Sequence, residues 1–251
     1  ESVGFPKGVI NLVHGGKAAV DAILDHPDVR AISFVGSSGV ARYVYAKAAA
    51  NGKRAQCQGG AKNPIVVLPD ADMDMTTRIV ADSAFGCAGQ RCLAASVAIT
   101  VGEASDAFTG RIVDAASARK VGNGLDAGIE MGPVISPESV QRIEDLIGAG
   151  VAAGAKPLVD GRGARVGGLE HGAFVRPTVL GDVDPAGELA RTEVFGPVLS
   201  VMRADTIEQA IAIVNRSAYG NMASSRIILG RRRLLIEIEL SAINLGPYIL
   251  I

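Results

Sequence analysis

Ala31-Ile32-Ser33-Phe34-Val35-Gly36-Ser37-Ser38 joins a short apolar run to a glycine and two serines. β-Branched and aromatic side chains favour a strand, and the Gly-Ser-Ser segment ends it and opens a helix. A helical stretch follows from Val40 to Ala50 and closes at Asn51-Gly52, a C-terminal cap signal. Arg54 to Gln58 reads as the next strand. Upstream, Val9-Ile10-Asn11-Leu12-Val13 reads as a strand. Lys17 to Asp25 reads as a helix, with Ala18, Ala22 and Ile23 on its period and a stop at His26-Pro27. Strand, helix, strand, helix, strand with short connections predicts parallel βαβ units. Ligands of such sheets bind at the carboxyl ends of strands, where a helix N-terminus offers N–H groups to phosphate. Gly36 and Ser37 stand at such a place. Ordinary helix capping explains Ser37 equally well. The Gly-x-Gly-x-x-Gly fingerprint is absent from this turn.

The rest of the chain continues as α/β. Ile65 to Leu68 reads as a strand running into the turn Pro69-Asp70-Ala71-Asp72. Met73 to Cys87 reads as a helix, Ser96 to Val101 as a strand, and Asp106 to Arg119 and Glu138 to Ala153 as helices. Val175 to Leu180 and Ser200 to Arg203 read as strands, and Ile207 to Asn215 as a helix. Gly161 to Gly172 reads as a long loop. Asp70, Asp72 and Asp74 complement a helix dipole, with a metal site as the alternative. After Ser224 the apolar and basic residues carry few turn signals. Leu234 to Leu240 fits helix or strand, and the apolar end Tyr248-Ile249-Leu250-Ile251 calls for burial.

The chain has 251 residues, 48% of them hydrophobic, enough for a large core. Lys plus Arg number 25 against 26 Asp plus Glu, a net charge of −1, which gives no electrostatic reason to expect nucleic acid or an anionic membrane as partner. Arg231-Arg232-Arg233 reads as a solvated helix face. No apolar run of about 18 residues exists, so no membrane span is expected. The first residues read as neither signal nor transit peptide. Cys57, Cys87 and Cys92 are too few for a disulfide framework and point to a reducing compartment. His14, His26 and His171 have no metal-ligand spacing and read as surface or capping residues.

Three segments are candidates for chemistry. In Phe85-Gly86-Cys87-Ala88-Gly89-Gln90-Arg91-Cys92 a thiol follows a glycine-containing turn. Thiolates attack carbonyl carbon, and Arg91 is a nearby source of positive charge. The alternative is that Cys92 is a small buried hydrophobe. Gly59-Gly60-Ala61-Lys62-Asn63-Pro64 is a close-approach loop, able to let a flat ring lie on backbone or to serve as a plain connection. Glu193-Val194-Phe195-Gly196-Pro197 offers a carboxylate that could grip a ribose diol, or a solvated loop residue.

Taken in order, these segments resemble the aldehyde dehydrogenase superfamily over residues 1 to about 222. Met131-Gly132-Pro133-Val134-Ile135, Pro177-Thr178-Val179 and Tyr219-Gly220-Asn221 add to the set. Within it, His14-Gly15, Val20-Asp21-Ala22 and Ala50-Asn51-Gly52-Lys53-Arg54 are most similar to the CoA-acylating methylmalonate-semialdehyde (malonate-semialdehyde) dehydrogenase branch. The resemblance implies an α/β fold. Residues 1–59 would be part of a Rossmann-type cofactor domain, 60–230 the nucleophile-bearing α/β domain, and 231–251 a divergent end. It implies that Cys92 forms a thiohemiacetal with a small semialdehyde and then a thioester, that NAD takes the hydride, and that CoA takes the acyl group. It places Gly36 and Ser37 at the pyrophosphate and Gly59 by the nicotinamide. Glu193 would meet the nicotinamide ribose, with Phe195 also on the cofactor side, and Arg91 the substrate carboxylate, which suits a guanidinium's two-pronged grip. It implies no metal, a homo-oligomer when complete, and the cytoplasm or, in a eukaryote, the mitochondrial matrix. Cys57 stands where hydrolytic members carry a glutamate base, which suits acyl transfer to a thiol; a buried strand residue is the alternative.

The sequence also departs from the family. It begins partway through the cofactor domain, so an adenosine-ribose lysine and an oxyanion-pocket asparagine are expected upstream. Ala41 replaces a helix glycine, and the family pattern stops after Asn221. A catalytically incomplete chain acting as a structural or partner subunit is therefore the alternative function. The sequence leaves NAD against NADP, and methylmalonate against malonate semialdehyde, open.

Overall fold

A computed structural model describes residues 4–220 and the backbone of 224–226. The chain divides into two compact units, Glu1–Gly60 and Ala61–Ile251.

The first unit holds α1 (Lys17–Asp25), β1 (Ala31–Val35), α2 (Ser38–Ala50) and β2 (Arg54–Gln58). β1 and β2 pair in parallel, from Ala31 opposite Arg54 to Val35 opposite Gln58. This is the predicted βαβ unit. Leu24, Val44 and Ala48 form its buried centre, with Val20, Ile32, Phe34, Ala55 and Cys57 packed around them. Polar groups fix the connections. Lys53 is nearly buried and donates to the carbonyls of His26 (2.5 Å) and Val29 (2.8 Å), pinning the turn between α1 and β1. Asn51 caps α2, and its side-chain amide donates to Leu24 O at 2.9 Å.

The expected strand at Val9–Val13 does not form. A strand needs a neighbour for its N–H and C=O groups, and among the described residues none pairs with this run. It follows a turn at Pro6–Val9, and Val9, Ile10, Leu12 and Val13 are all exposed.

The second unit is built on a six-stranded sheet, in the order β5 (Lys156–Val159), β6 (Thr178–Gly181), β7 (Val198–Ala204), β4 (Ala95–Val101), β3 (Asn63–Val67), β8 (Ser224–Arg226). All pairs are parallel except β5 with β6. β3 is buried at every position, as a strand covered on both faces must be. α3 (Met73–Phe85), α4 (Ala104–Ala118) and α7 (Ile207–Asn215) pack on the sheet, while α5 (Pro137–Ala152) packs on the short α6 (Glu188–Arg191). Asp72, Ser136 and Thr206 cap α3, α5 and α7 through their side chains. Asp72 thus serves the helix end, and Asp74 pairs with Arg111 on α4 at 3.1 Å. Phe85, Ile99, Phe108, Ile112, Ile143, Ile147, Leu180, Leu199 and Met202 make one continuous core.

β5, α6 and β8 are elements that periodicity did not reveal. The triplet Arg231–Arg233, the run Leu234–Leu240 and the apolar end fall outside the described residues. No helix among the described residues is long and apolar enough to cross a membrane.

Phe108 is completely buried between α4 and the core. Phe108→Ala is expected to cost about 3–5 kcal/mol. The chain has no tryptophan, so urea unfolding followed by far-ultraviolet circular dichroism is the suitable measurement. A loss under about 1 kcal/mol would show that the ring does not bear on the core.

Candidate active site

α3 ends at Phe85, and the backbone then makes a tight turn over Gly86–Gly89. Cys87 (φ 51°), Ala88 (φ 52°) and Gly89 (φ 67°) are left-handed in succession. Such a conformation costs on the order of 1 kcal/mol for each residue with a Cβ, so neighbours must hold it. They do so at Gly89, which lies against the backbone of Gly196 and Pro197. A Cβ at 89 would stand only 2.1 Å from Gly196 O. The turn throws Cys92 to the surface, with its thiol outside any disulfide.

Asn63, at the start of β3, anchors the chain just after this turn. Its amide donates to Cys92 O at 2.7 Å and to Ala94 O at 3.0 Å. Ala94 N donates to Arg91 O at 3.0 Å, and Ala95 N to Ser83 Oγ at 3.0 Å. The cysteine's backbone is thus fixed from α3 and from β3. The expectation of a flexible loop over Gly59–Pro64 is corrected for its second half. Ala61 to Pro64 are buried, and Asn63 and Pro64 already belong to β3, because this segment enters the sheet centre.

Arg91 is exposed, and its Nη2 donates to Asp82 O (2.8 Å) and Ser83 O (2.9 Å). These are last-turn carbonyls of α3, and Asp82 O also accepts from Gly86 N. Arg119 joins it there through Asp82 Oδ1 at 2.5 Å. Two arginines therefore meet the negative end of a helix that has no basic residue in its own last turn.

Cys92 and Arg91 line a small recess together with Ala61, Asn63, Glu193 and Phe195. Three of the sequence candidates, Cys92, Glu193 and Phe195, thus meet Arg91 at one place. Phe195 is left-handed (φ 50°) and 40% exposed, and Glu193 is half-buried.

Gly36, Ser37 and Gly59 belong to the first unit. Ser37 stands at the N-cap of α2, yet its side chain makes no capping bond, so plain capping does not account for its hydroxyl. It is exposed. Gly59 lies tight against α2, and a Cβ there would come within 2.8 Å of Ser38 Oγ, which accepts from Gly60 N at 3.0 Å. At Gly36 a Cβ would meet the ring of Phe34 at 2.6 Å. Cys57 is half-buried, and burial pushes its thiol above the usual range. His26 accepts from Asp28 N at 3.2 Å, a turn role.

Sequence patterns gave no role to Lys62. It is 3% exposed, and its Nζ has no hydrogen-bond partner among the described residues. Burial pulls its pKa down to about 8, partly offset by attraction to Glu193. A buried, shifted amine sensing a cleft carboxylate marks a functional locality. Its only signal in the sequence was its place shortly before the apolar run Ile65–Leu68.

A parallel α/β scaffold that presents an exposed cysteine just past a left-handed turn is the class that fold and site define. The chain belongs to the aldehyde dehydrogenase family, whose model matches residues 1–226. It is 45% identical over 218 residues to the acylating, mitochondrial methylmalonate-semialdehyde/malonate-semialdehyde dehydrogenase of Mus musculus, covering 87% of this chain and 41% of that protein. It is 44% identical over 219 residues to malonate-semialdehyde dehydrogenase of Pseudomonas aeruginosa, covering 87% and 44%. A Sinorhizobium meliloti protein provisionally named methylmalonate-semialdehyde dehydrogenase, solved in complex with NAD, superposes with a TM-score of 0.88. It is 45% identical, over 91% of this chain and 47% of that one. The chain spans less than half the length of these relatives.

Two outcomes test the site's construction. Gly89→Ala adds a methyl group where backbone already lies, at a left-handed position, and is expected to cost about 1–3 kcal/mol in urea unfolding; an unchanged midpoint would contradict the close approach. Lys62→Met removes a buried ammonium. The folded pKa lies below the ordinary value, so the unfolded chain binds more protons between about pH 8 and 10.5, and stability rises with pH across that window. The penalty is complete below about pH 8. Lys62→Met is therefore expected to stabilise the chain at pH 7 by up to about 3 kcal/mol and to lose that advantage near pH 10.5. A gain that does not shrink with rising pH would exclude this origin.

Proposed function

We propose that this chain supplies the nucleophile-bearing part of an NAD-dependent, CoA-acylating semialdehyde dehydrogenase acting on malonate or methylmalonate semialdehyde. The observation that carries the reading is the meeting of Cys92 with Glu193, Phe195 and Arg91 in one recess. The names of the relatives, and the NAD in the Sinorhizobium meliloti complex, support it.

The residues suit the chemistry. The Cys92 thiolate attacks the aldehyde carbon, and the carbonyl oxygen becomes the hydroxyl of a thiohemiacetal. Breaking the C–H bond then leaves a thioester on Cys92, as the hydroxyl proton departs. NAD, when bound, supplies the acceptor for that hydride. The groups present suit its parts: in the first unit the exposed Ser37 hydroxyl and the N-terminal N–H groups of α2 suit phosphate and Gly59 a close-lying ring, and in the second unit the Glu193 carboxylate suits accepting hydrogen bonds from a ribose diol. The Arg91 N–H groups not used on α3 suit a substrate carboxylate. The thiol of CoA attacks the thioester carbonyl, and Cys92 leaves as thiolate. Cys57, in place of a carboxylate base, suits transfer to a thiol rather than to water.

The alternative reading is a structural or partner subunit without turnover of its own. Calorimetric titration with NAD separates the two. The first reading expects saturable binding that Glu193→Gln weakens about tenfold to a hundredfold, as loss of a charged hydrogen bond does, and labelling of Cys92 by a thiol-trapping aldehyde analogue. Absence of NAD binding, or equal labelling of Cys92→Ser, would leave the second.

A further inference from the structure

Arg142 lies on α5, far in sequence from every residue named above as a candidate for chemistry. Its guanidinium reaches the backbone of the Glu193 loop. Nη1 donates to Val194 O at 2.6 Å and Nη2 to Glu193 O at 2.5 Å. Both prongs thus close on consecutive carbonyls, a geometry that a planar guanidinium provides and an ammonium does not. The next residue along α5 continues the contact. Ile143 is completely buried, and a Cβ on Gly196 would stand 2.6 Å from its Cδ1. Gly196 in turn lies against Gly89 of the nucleophile turn. A continuous column therefore runs from α5 through Gly196 to the turn that carries Cys92, without a side chain at either glycine to absorb a shift.

We propose that Arg142 is a positioning residue: its grip on the Glu193 and Val194 carbonyls sets both where the Glu193 carboxylate is presented and how the Gly196 backbone supports the Cys92 turn. The proposal rests on the assignment of Glu193 and Cys92 given above. The grip matters because Phe195 is left-handed. A strained residue holds its conformation only while both flanks are fixed. Arg142 fixes one flank, and the Ile143–Gly196–Gly89 column fixes the other. Loss of the guanidinium should therefore loosen this loop and its neighbouring turn without opening the sheet.

The test uses the full chain with Arg142→Ala and Arg142→Lys. Backbone deuterium exchange is followed over 193–196, and alkylation of Cys92 by iodoacetamide is followed by mass spectrometry, with Cys57 of the first unit as internal reference. Arg142→Ala is expected to speed exchange over 193–196 by about tenfold and to change the Cys92 alkylation rate several-fold. Cys57 labelling and exchange in β3 and β4 should stay at wild-type rates. Arg142→Lys should restore the smaller part of each effect. Unchanged loop exchange and Cys92 labelling would overturn the proposal. So would an equal rise at Cys57 and in β3 and β4, which marks general loosening. Glu193→Gln, titrated with NAD alongside, reads the other assignment by itself. Wild-type NAD affinity in that variant would remove Glu193 from cofactor binding, while the local effect of Arg142→Ala on the loop and on Cys92 would remain.

Discussion

The backbone contact between Gly89 and Gly196–Pro197 is the constraint on which this molecule depends. A left-handed turn of three residues is unfavourable in isolation, most of all at Cys87 and Ala88, which carry a Cβ. It persists because the opposing strand entry leaves no room for another path. The cost is met by burial around it. Phe85 and Ala88 are fully enclosed, and β3, β4 and β7 form the floor. Cys92 is exposed on a rigid mount, whereas an ordinary surface loop would leave it mobile. A thiol intended to meet a carbonyl gains from this, since the backbone ordering is complete before a substrate arrives.

Around that mount, polar groups do what apolar packing does not. Asn63 reaches from the sheet to two carbonyls beside the thiol. Arg91 and Arg119 neutralise the end of α3 that launches the turn. Lys62 runs against the same logic, as an enclosed amine without a hydrogen bond among the described residues, and burial lowers its pKa. Groups that weaken the fold in this way concentrate where chemistry is done.

Much of the fold was legible because period and punctuation agree. α1, β1 and β2 have the bounds that the sequence indicates, since a Pro or a Gly closes each. Val9–Val13 shows the limit of such reading. Its apolar residues fit a strand, but a strand is a property of pairs, and no pair forms among the described residues. The segment after Gly60 shows the reverse. Its Lys, Asn and Pro look like a loop, yet tertiary burial makes it the start of the most enclosed strand. β5 was missed because it is an edge strand, mostly exposed and with little apolar alternation.

The sequence by itself determined the parallel α/β alternation, the thiol at Cys92, the carboxylate at Glu193 and the helix-opening serine at Ser37. These are local facts of residue type and spacing. Only the tertiary structure decided that Cys92 and Glu193 share a recess, that Asn63 and Arg142 hold the two loops that carry them, and that Lys62 is enclosed. The reason is physical. Each of these depends on contacts between segments about 30 to 130 residues apart, and neither periodicity nor propensity records which distant backbone leaves no room for a Cβ.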